Sequence, residues 1–491
     1  EFNSLKISHL LFVFNKFTVG ERKSDDAGFE MGAYGNKICQ TPNLDNLAKI
    51  STIYNNAFTS VSSCSPSRAQ IFTGLPSHQS GMYGLHQGVH NFNVFNSVHS
   101  ILQYLPLFNI TSGIIGKKHI GPKEIFKFDF EQTEENHSIN QIGRNITLIK
   151  NYVREFLNRV KNDKKDFFLV IGFHDPHRCG HISPQYGEFC ERFGSGEEGM
   201  GTIPDWKPIY YDWRNLPFPD NLPQTDKVRQ ELAAQYMAIS RLDQGVGLVL
   251  KEIRNAGFED QTVIVYTSDN GPPFPGGRTN LYDYGTRVPL LFHHALQSET
   301  TIENGLISLL NIFGIHLFHP SSGNKSVTFL IISNLYLEND AEYIFGSHNF
   351  HEITMNYPMR MIRSKRYKLI HNLNYQAYFP IDQDFYTSPT FQEILNLTQS
   401  KTPIPWIKTL KSYYQRPEWE MYDLKMDPLE QWNIAEKDSF KDLRKILEKR
   451  LFEWQVETKD PWQCYPHGVL ENQGIYENNP TCFSLGHEYL G

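Results

Sequence analysis

Apolar residues recur along the first half of this chain with two different periods. Uninterrupted runs at residues 111–115, 167–173 and 262–267 have the length of a strand and contain few polar positions, as expected of strands buried on both faces. Between them the period lengthens. Leu232, Tyr236, Ile239, Leu242, Val246, Leu250 and Ile253 fall three or four residues apart, which predicts a helix over residues 228–253 with one apolar stripe. A second helix is predicted over residues 146–160. Strands alternating with helices predict an α/β architecture with a large, mostly parallel sheet flanked by helices. All three runs end in polar residues, and such sheets bind ligands beyond the carboxyl ends of their strands.

The second part of the chain has another rhythm. Residues 345–348 and 359–369 read as strands, and residues 439–454 as an amphipathic helix. Arg363, Lys365, Arg366 and Lys368 fall along the longer strand, and their spacing reads as a solvated face in preference to a glycan site. A catalytic α/β domain at residues 1–340 and a smaller C-terminal α+β domain with an antiparallel sheet at residues 341–491 are the expected division. Near the start, Leu10-Leu11-Phe12-Val13-Phe14 follows Lys6 and reads either as the remnant of a signal sequence or as a buried strand. No internal repeat or low-complexity tract is present.

Composition excludes a few classes of function. At 491 residues, 40% hydrophobic and 21% charged, the chain resembles ordinary soluble proteins with room for two domains. Its net charge of −7 argues against a general nucleic-acid binder, so a polyanionic substrate would find positive contacts only inside a pocket. No apolar run approaches the roughly 20 residues that span a bilayer. Sequons at Asn109, Asn136, Asn145, Asn324 and Asn396 fit secretory routing.

Candidate chemistry collects at the strand ends. Cys64-Ser65-Pro66-Ser67-Arg68 places proline in the first turn of a helix that continues to Gly74, and a helix N-terminus favours negative charge. Asp25-Asp26 and Ser268-Asp269-Asn270-Gly271 together offer three carboxylates and an amide oxygen, a set suited to a hard cation such as calcium. Taken singly, each is more often a turn or a cap. Gly116-Lys117-Lys118-His119, Phe173-His174-Asp175-Pro176-His177-Arg178 and Gly277-Arg278 bring cations and imidazoles that could hold the oxygens of an anionic group and protonate a leaving group. His174-x-x-His177 lacks the cysteine and histidine partners of a zinc site.

The order Asp-Asp, C-x-P-S-R, G-K-K-H, H-D-P-H, S-D-N-G resembles the sulfatase family of the alkaline-phosphatase-like superfamily. Residues 57–68, 81–87, 173–181, 203–206 and 380–386 are similar to the branch that removes N-linked sulfate from glucosamine, and the likeness spans residues 25–291 and resumes at 345. It implies the sulfatase fold and oxidation of Cys64 to formylglycine by the formylglycine-generating enzyme. It further implies one calcium ion held by Asp25, Asp26, Cys64, Asp269 and Asn270. By the same resemblance Arg68 and Lys117 orient the aldehyde hydrate, and His119 takes a proton from its second hydroxyl as sulfate leaves. His177 and Arg278 contact sulfate or sugar, His177 being placed to protonate the departing amine. The implied substrate is the non-reducing end of heparan sulfate, the implied state a homodimer, and the implied compartment the lysosome. The same machinery admits an O-sulfatase, a phosphonate or phosphodiester hydrolase, or an inactive glycan-binding relative.

Some features stand beside that pattern. Glu21-Arg22-Lys23-Ser24 precedes the paired aspartates where the family has a buried strand, so either residues 12–19 supply a displaced strand or the first exon is mispredicted. Residues 1–24 and 293–343 are atypical. With Cys64 claimed by the motif, Cys179 with Cys190 and Cys464 with Cys482 are the expected disulfides, Cys39 staying free; six reduced thiols in a cytosolic protein are the alternative. His348, His351 and Glu352 are candidates for the pocket rim.

Overall fold

The computed structural model describes residues 9–15 (backbone only), 30–135, 141–179, 187–312 and 341–484. Asp25, Asp26, the 21–24 segment and the sequons at Asn136 and Asn324 lie outside the described residues. A nine-stranded mixed sheet runs in the order β4-β3-β5-β1-β6-β7-β2-β8, with β9 beside β2. Its members are β1 His9–Asn15, β2 Thr52–Phe58, β3 Ile110–Gly116, β4 Phe130–Thr133, β5 Asp166–Gly172, β6 Thr262–Ser268, β7 Arg287–His293, β8 Thr301–Glu303 and β9 Ile307–Ser308. Only β7 runs antiparallel to its neighbours β6 and β2. The three apolar runs read from sequence are β3, β5 and β6, each within a residue or so of its expected ends.

Burial on both sides explains why those runs are continuous. Leu169 and Ile171 of β5, with Ile264 and Tyr266 of β6, pack into one core. Their alternating neighbours Phe168, Val170, Val263 and Val265 pack into another. Successive side chains of a strand point to opposite faces, so neither face can afford a polar residue. Helices Ile146–Asp163 and Asp226–Ala256 cover the first face with Ile149, Val153, Phe156, Ile239, Leu242 and Val246. Each has a side-chain N-cap, Asn145 accepting from Leu148 N at 3.1 Å and Thr225 from Val228 N at 3.4 Å. Segment 10–14 belongs to β1, which pairs in parallel with β5 and β6 at the centre of the sheet. Of its two readings the structure therefore takes the strand, at residues 9–15.

A four-stranded antiparallel sheet, β10-β11-β12-β13, forms the later part, from Ile344–His348, Met359–Arg363, Tyr367–Asn372 and Trp419–Asp423. Two expectations need correction here. Residues 359–369 are not one strand but a hairpin, with Arg363 paired to Lys368 across β11 and β12. Nor do the basic residues form a solvated face. Lys365 and Arg366 are exposed, but Arg363 and Lys368 are buried. Arg363 Nη2 lies 2.8 Å from Asp283 Oδ2, and Lys368 Nζ lies 2.5 Å from Asp283 Oδ1 and 2.9 Å from Glu430 Oε1. Burial alone would raise the Asp283 carboxyl, yet Arg363 and Lys368 outweigh it and hold the group well below the usual carboxylate range. The charges are thus ion pairs across the junction between the two sheets.

Helix Lys441–Glu457 packs Leu447, Leu451 and Trp454 on Ile362, Leu369 and Met421. Disulfides join Cys179 to Cys190 and Cys464 to Cys482, while Cys39 and Cys64 are buried and belong to neither disulfide. Among the described residues no helix is long and apolar enough to cross a membrane.

Two buried imidazoles set an acid limit on this fold. His78 bridges Ser347 Oγ and Thr458 Oγ1 at 2.7 and 2.8 Å. Burial pushes both His78 and His348 down to about 3, with Arg360 and Arg416 adding to the effect at His348. The unfolded chain protonates these groups near the usual value of about 6.5, so between there and about 3 it binds more protons than the native state. Stability should therefore fall as pH drops through that window and be insensitive to these groups above it. Calorimetric Tm values from pH 7.5 to 4.5 should show this fall, and His348→Gln should make it shallower; parallel Tm curves for the two proteins would refute the assignment.

Candidate active site

Cys64 occupies the first position of helix Cys64–Thr73, all ten residues of which are buried. Ser63 enters in an extended conformation at φ −157°, and Gly74 closes the helix at φ 70°, a left-handed C-cap that suits glycine. The residues around the thiol are pinned. Ser63 Oγ lies 2.8 Å from His351 Nδ1, Ser65 Oγ accepts from His86 N at 2.9 Å, and Ser67 Oγ donates to the Asp269 carbonyl. Arg68, one helical turn beyond Cys64, donates from Nε to Asp269 Oδ2 at 3.1 Å and from Nη1 to the Lys117 carbonyl at 2.9 Å. The sequence motif thereby touches the ends of both β6 and β3.

Lys117 and His119 follow β3. Gly116 turns the chain at φ 94°, and a Cβ there would meet the Gly172 carbonyl oxygen at 2.2 Å, so only glycine allows Lys117 N to bond that oxygen at 2.7 Å. His119 adopts φ 56°, and its N–H donates to Glu135 Oε1 at 2.6 Å. Lys117 and His119 are buried, as is Lys118, whose Nζ is taken by Glu131 Oε1 at 2.8 Å. Asp269 and Asn270 follow β6 with no exposed surface. The Asn270 Nδ2 donates to the Gly271 carbonyl at 2.7 Å, which fixes the amide so that Oδ1 faces the other way. Among the described residues, Asp269 Oδ1 and Asn270 Oδ1 have no hydrogen-bond partner. Two buried, unmatched oxygens of this kind fit a hard cation. Asp25 and Asp26, the other expected carboxylates, lie outside the described residues, among which no cluster of three metal-binding side chains occurs.

His177 and Arg278 meet on the other side. Asp175 upstream of His177 is clamped between Arg144 and Arg241, with contacts of 2.6 to 2.7 Å. His177 Nδ1 donates to the Arg178 carbonyl at 2.7 Å, and its Nε2 lies 3.4 Å from Arg278 Nη1. The Arg278 guanidinium donates to both Asp382 and Asp384. Burial works against its charge, but Asp382, Asp384 and Cys64 raise its proton affinity well above the usual arginine value, so the cation stays charged within the field of position 64. Glu352 Oε1 accepts from Gln383 N at 2.9 Å and braces the Asp382–Asp384 loop. Of the three rim candidates, His351 thus reaches the Cys64 turn and Glu352 the acidic loop. His348 is buried behind them, its carbonyl taken by Arg360 Nη1 at 3.0 Å.

Asp382 and Asp384 were not on the list of sequence candidates. The signal was present in Pro380-Ile381-Asp382-Gln383-Asp384, but nothing local connects that loop to Arg278, more than a hundred residues away.

Comparisons with known proteins agree with this arrangement. The family model described as Sulfatase matches residues 19–317. The chain is 49% identical over 480 residues to human N-sulphoglucosamine sulphohydrolase, covering 95% of this chain and 94% of that protein. Among solved structures, a 2-O GAG sulfatase superposes with a TM-score of 0.60 at 17% identity, covering 93% of each chain. A phosphonate monoester hydrolase of Agrobacterium radiobacter gives 0.58 at 15% identity over 97% of this chain and 99% of that one. The last two likenesses concern the fold alone, and that fold is the one the family resemblance implied. By sequence and by fold, this chain belongs to the sulfatase family.

Proposed function

We propose that the chain is a sulfohydrolase that removes the N-linked sulfate from N-sulfoglucosamine at the non-reducing end of heparan sulfate. The human relative's name supplies the substrate class. In the chain itself, one observation supports the reading above others: Cys64 opens a buried helix whose Arg68 is bonded to Asp269, beside the unmatched oxygens of Asp269 and Asn270. Cys64 is 1% exposed and out of another enzyme's reach once folded, so its conversion by the formylglycine-generating enzyme belongs to the unfolded chain.

When present, a formylglycine hydrate supplies one hydroxyl to attack sulfur and another to release sulfate, and calcium lowers the proton affinity of that oxygen and draws charge from the sulfonyl group. Asp25, Asp26, Asp269, Asn270 and residue 64 would hold the ion. Arg68 and Lys117 orient residue 64, and His119 accepts the proton given up as sulfate departs. Arg278 and His177 hold the anionic end of the substrate, Arg278 offering a buried Nε that has no partner among the described residues. Two domains, residues 1–340 and 341–491, would share the pocket. The two disulfides and the exposed sequons at Asn109 and Asn396 support an oxidising route, leading in this reading to the lysosome, with a homodimer as the working form.

Four outcomes check this. Peptide mass spectrometry of protein expressed with the formylglycine-generating enzyme should show residue 64 as the aldehyde, and Cys64→Ala should lose hydrolysis while keeping its Tm. N-sulfoglucosamine should be cleaved in preference to glucosamine 6-O-sulfate; the reverse order would reject the specificity. Asp269→Asn keeps the side-chain shape but removes a charge, and should weaken calcium binding by at least roughly ten-fold, since changing even a partner outside the ligand shell costs that much, read by calcium titration as well as by turnover.

A further inference from the structure

The loop that carries Arg278 is strained and held from two sides. Thr279 adopts φ 71°, a region that a β-branched residue keeps only where its surroundings force it. Thr279 N bonds the Ser62 carbonyl at 2.8 Å, so the loop lies against the turn that leads into Cys64. The other restraint comes from far along the chain. Asn280, with no exposed surface, donates from Nδ2 to the Arg278 carbonyl at 3.0 Å and to Tyr413 Oη at 3.2 Å. The same phenol oxygen accepts from Gly276 N at 3.2 Å. Asn280 Oδ1 in turn accepts at 2.6 Å from Nη2 of Arg416, 136 residues away.

Arg416 is a demanding residue to bury for this purpose. It is 4% exposed, and its hydrogen-bond partners are neutral: Asn280, the Tyr413 carbonyl at 3.2 Å from Nε, and Met359 Sδ at 3.9 Å from Nη1. Burying a cation against neutral groups is costly. The Phe379 ring centroid lies 3.4 Å from the guanidinium carbon, with Tyr413 at 5.1 Å and Tyr282 at 5.4 Å, and these rings fix its plane. The effect reaches the pocket through Arg278. Nη2 of that residue is anchored to Asp382 and Asp384, but a guanidinium pinned at one nitrogen can still swing about it. The Arg278 carbonyl, held through Asn280, is the second anchor, and the two together fix where Nη1 and Nε point.

We propose that Arg416 is a positioning residue for this site: through Asn280 and Tyr413 it holds the 276–280 loop in its strained form and so sets the reach of Arg278 toward the anionic end of the substrate. The assignment rests on the reading above in which Arg278 grips that anion. The shape of the guanidinium matters more than its charge. An ammonium in its place cannot meet the amide and the carbonyl in separate directions while stacking on a ring.

Inorganic sulfate, titrated calorimetrically into the full-length protein, tests this without catalysis. Arg416→Lys keeps the charge but loses the fork, and should weaken sulfate binding roughly ten-fold (~1.4 kcal/mol). In an Arg278→Lys background the same change should add nothing, because the group it positions is already gone. Amide hydrogen exchange over residues 274–281 should be faster in Arg416→Lys and in Tyr413→Phe, which removes a single hydroxyl. Losses that add across the two backgrounds overturn the proposal. So does sulfate affinity kept in Arg416→Lys but lost in Arg416→Gln, the mark of a charge acting through space, and so does a wild-type protein that binds no sulfate. Where a lysine variant does not fold, exchange in Tyr413→Phe decides: faster exchange upholds the relay and unchanged exchange refutes it. Coupled losses in a protein that leaves N-sulfoglucosamine intact uphold the positioning role and count against the proposed function alone.

Discussion

The buried guanidinium of Arg68 ties together the parts on which this pocket depends. Four residues after Cys64, it stands on the same helix face and bonds Asp269 at the end of β6 and the Lys117 carbonyl at the end of β3. Three segments distant in sequence are therefore held in register by one side chain. Lysine could not substitute, since a single ammonium lacks the planar fork that meets a carboxylate and a carbonyl in separate directions. The same contact orients Asp269, leaving its Oδ1 turned away from the guanidinium and without a partner among the described residues.

The C-terminal sheet completes what the strand ends begin. His351 bonds Ser63 beside Cys64, Glu352 braces the loop at Gln383, and Asp382 and Asp384 clamp Arg278. That sheet is itself fixed to the larger one by the Asp283, Arg363, Lys368 and Glu430 cluster. Removing one partner from such a cluster would strand a buried charge, so the wall of the pocket and the junction of the two sheets share a common electrostatic constraint.

Legibility in the sequence followed the kind of force at work. β3, β5 and β6 were readable because both their faces are apolar and adjacent residues feed two different cores. The helix over residues 226–256 was readable because its stripe has the helical period. Residues 359–369 misled because alternating basic residues look solvated when their acidic partners lie far off in the chain. Segment 10–14 showed strand character, but apolarity alone could not separate a leader from the central strand that pairing with β5 and β6 makes of it.

By itself the sequence determined the local chemistry: a cysteine at a helix start, an arginine one turn on, and polar groups at the carboxyl ends of buried strands. Spacing within a few residues suffices for those, because helix and strand periods are local properties of the backbone. Tertiary structure alone decided which charges are buried and with whom. Arg278 finds Asp382 and Asp384, and Asp283 finds Arg363 and Lys368, only when the two sheets meet, since a charge leaves water at tolerable cost only where folding delivers its counter-charge.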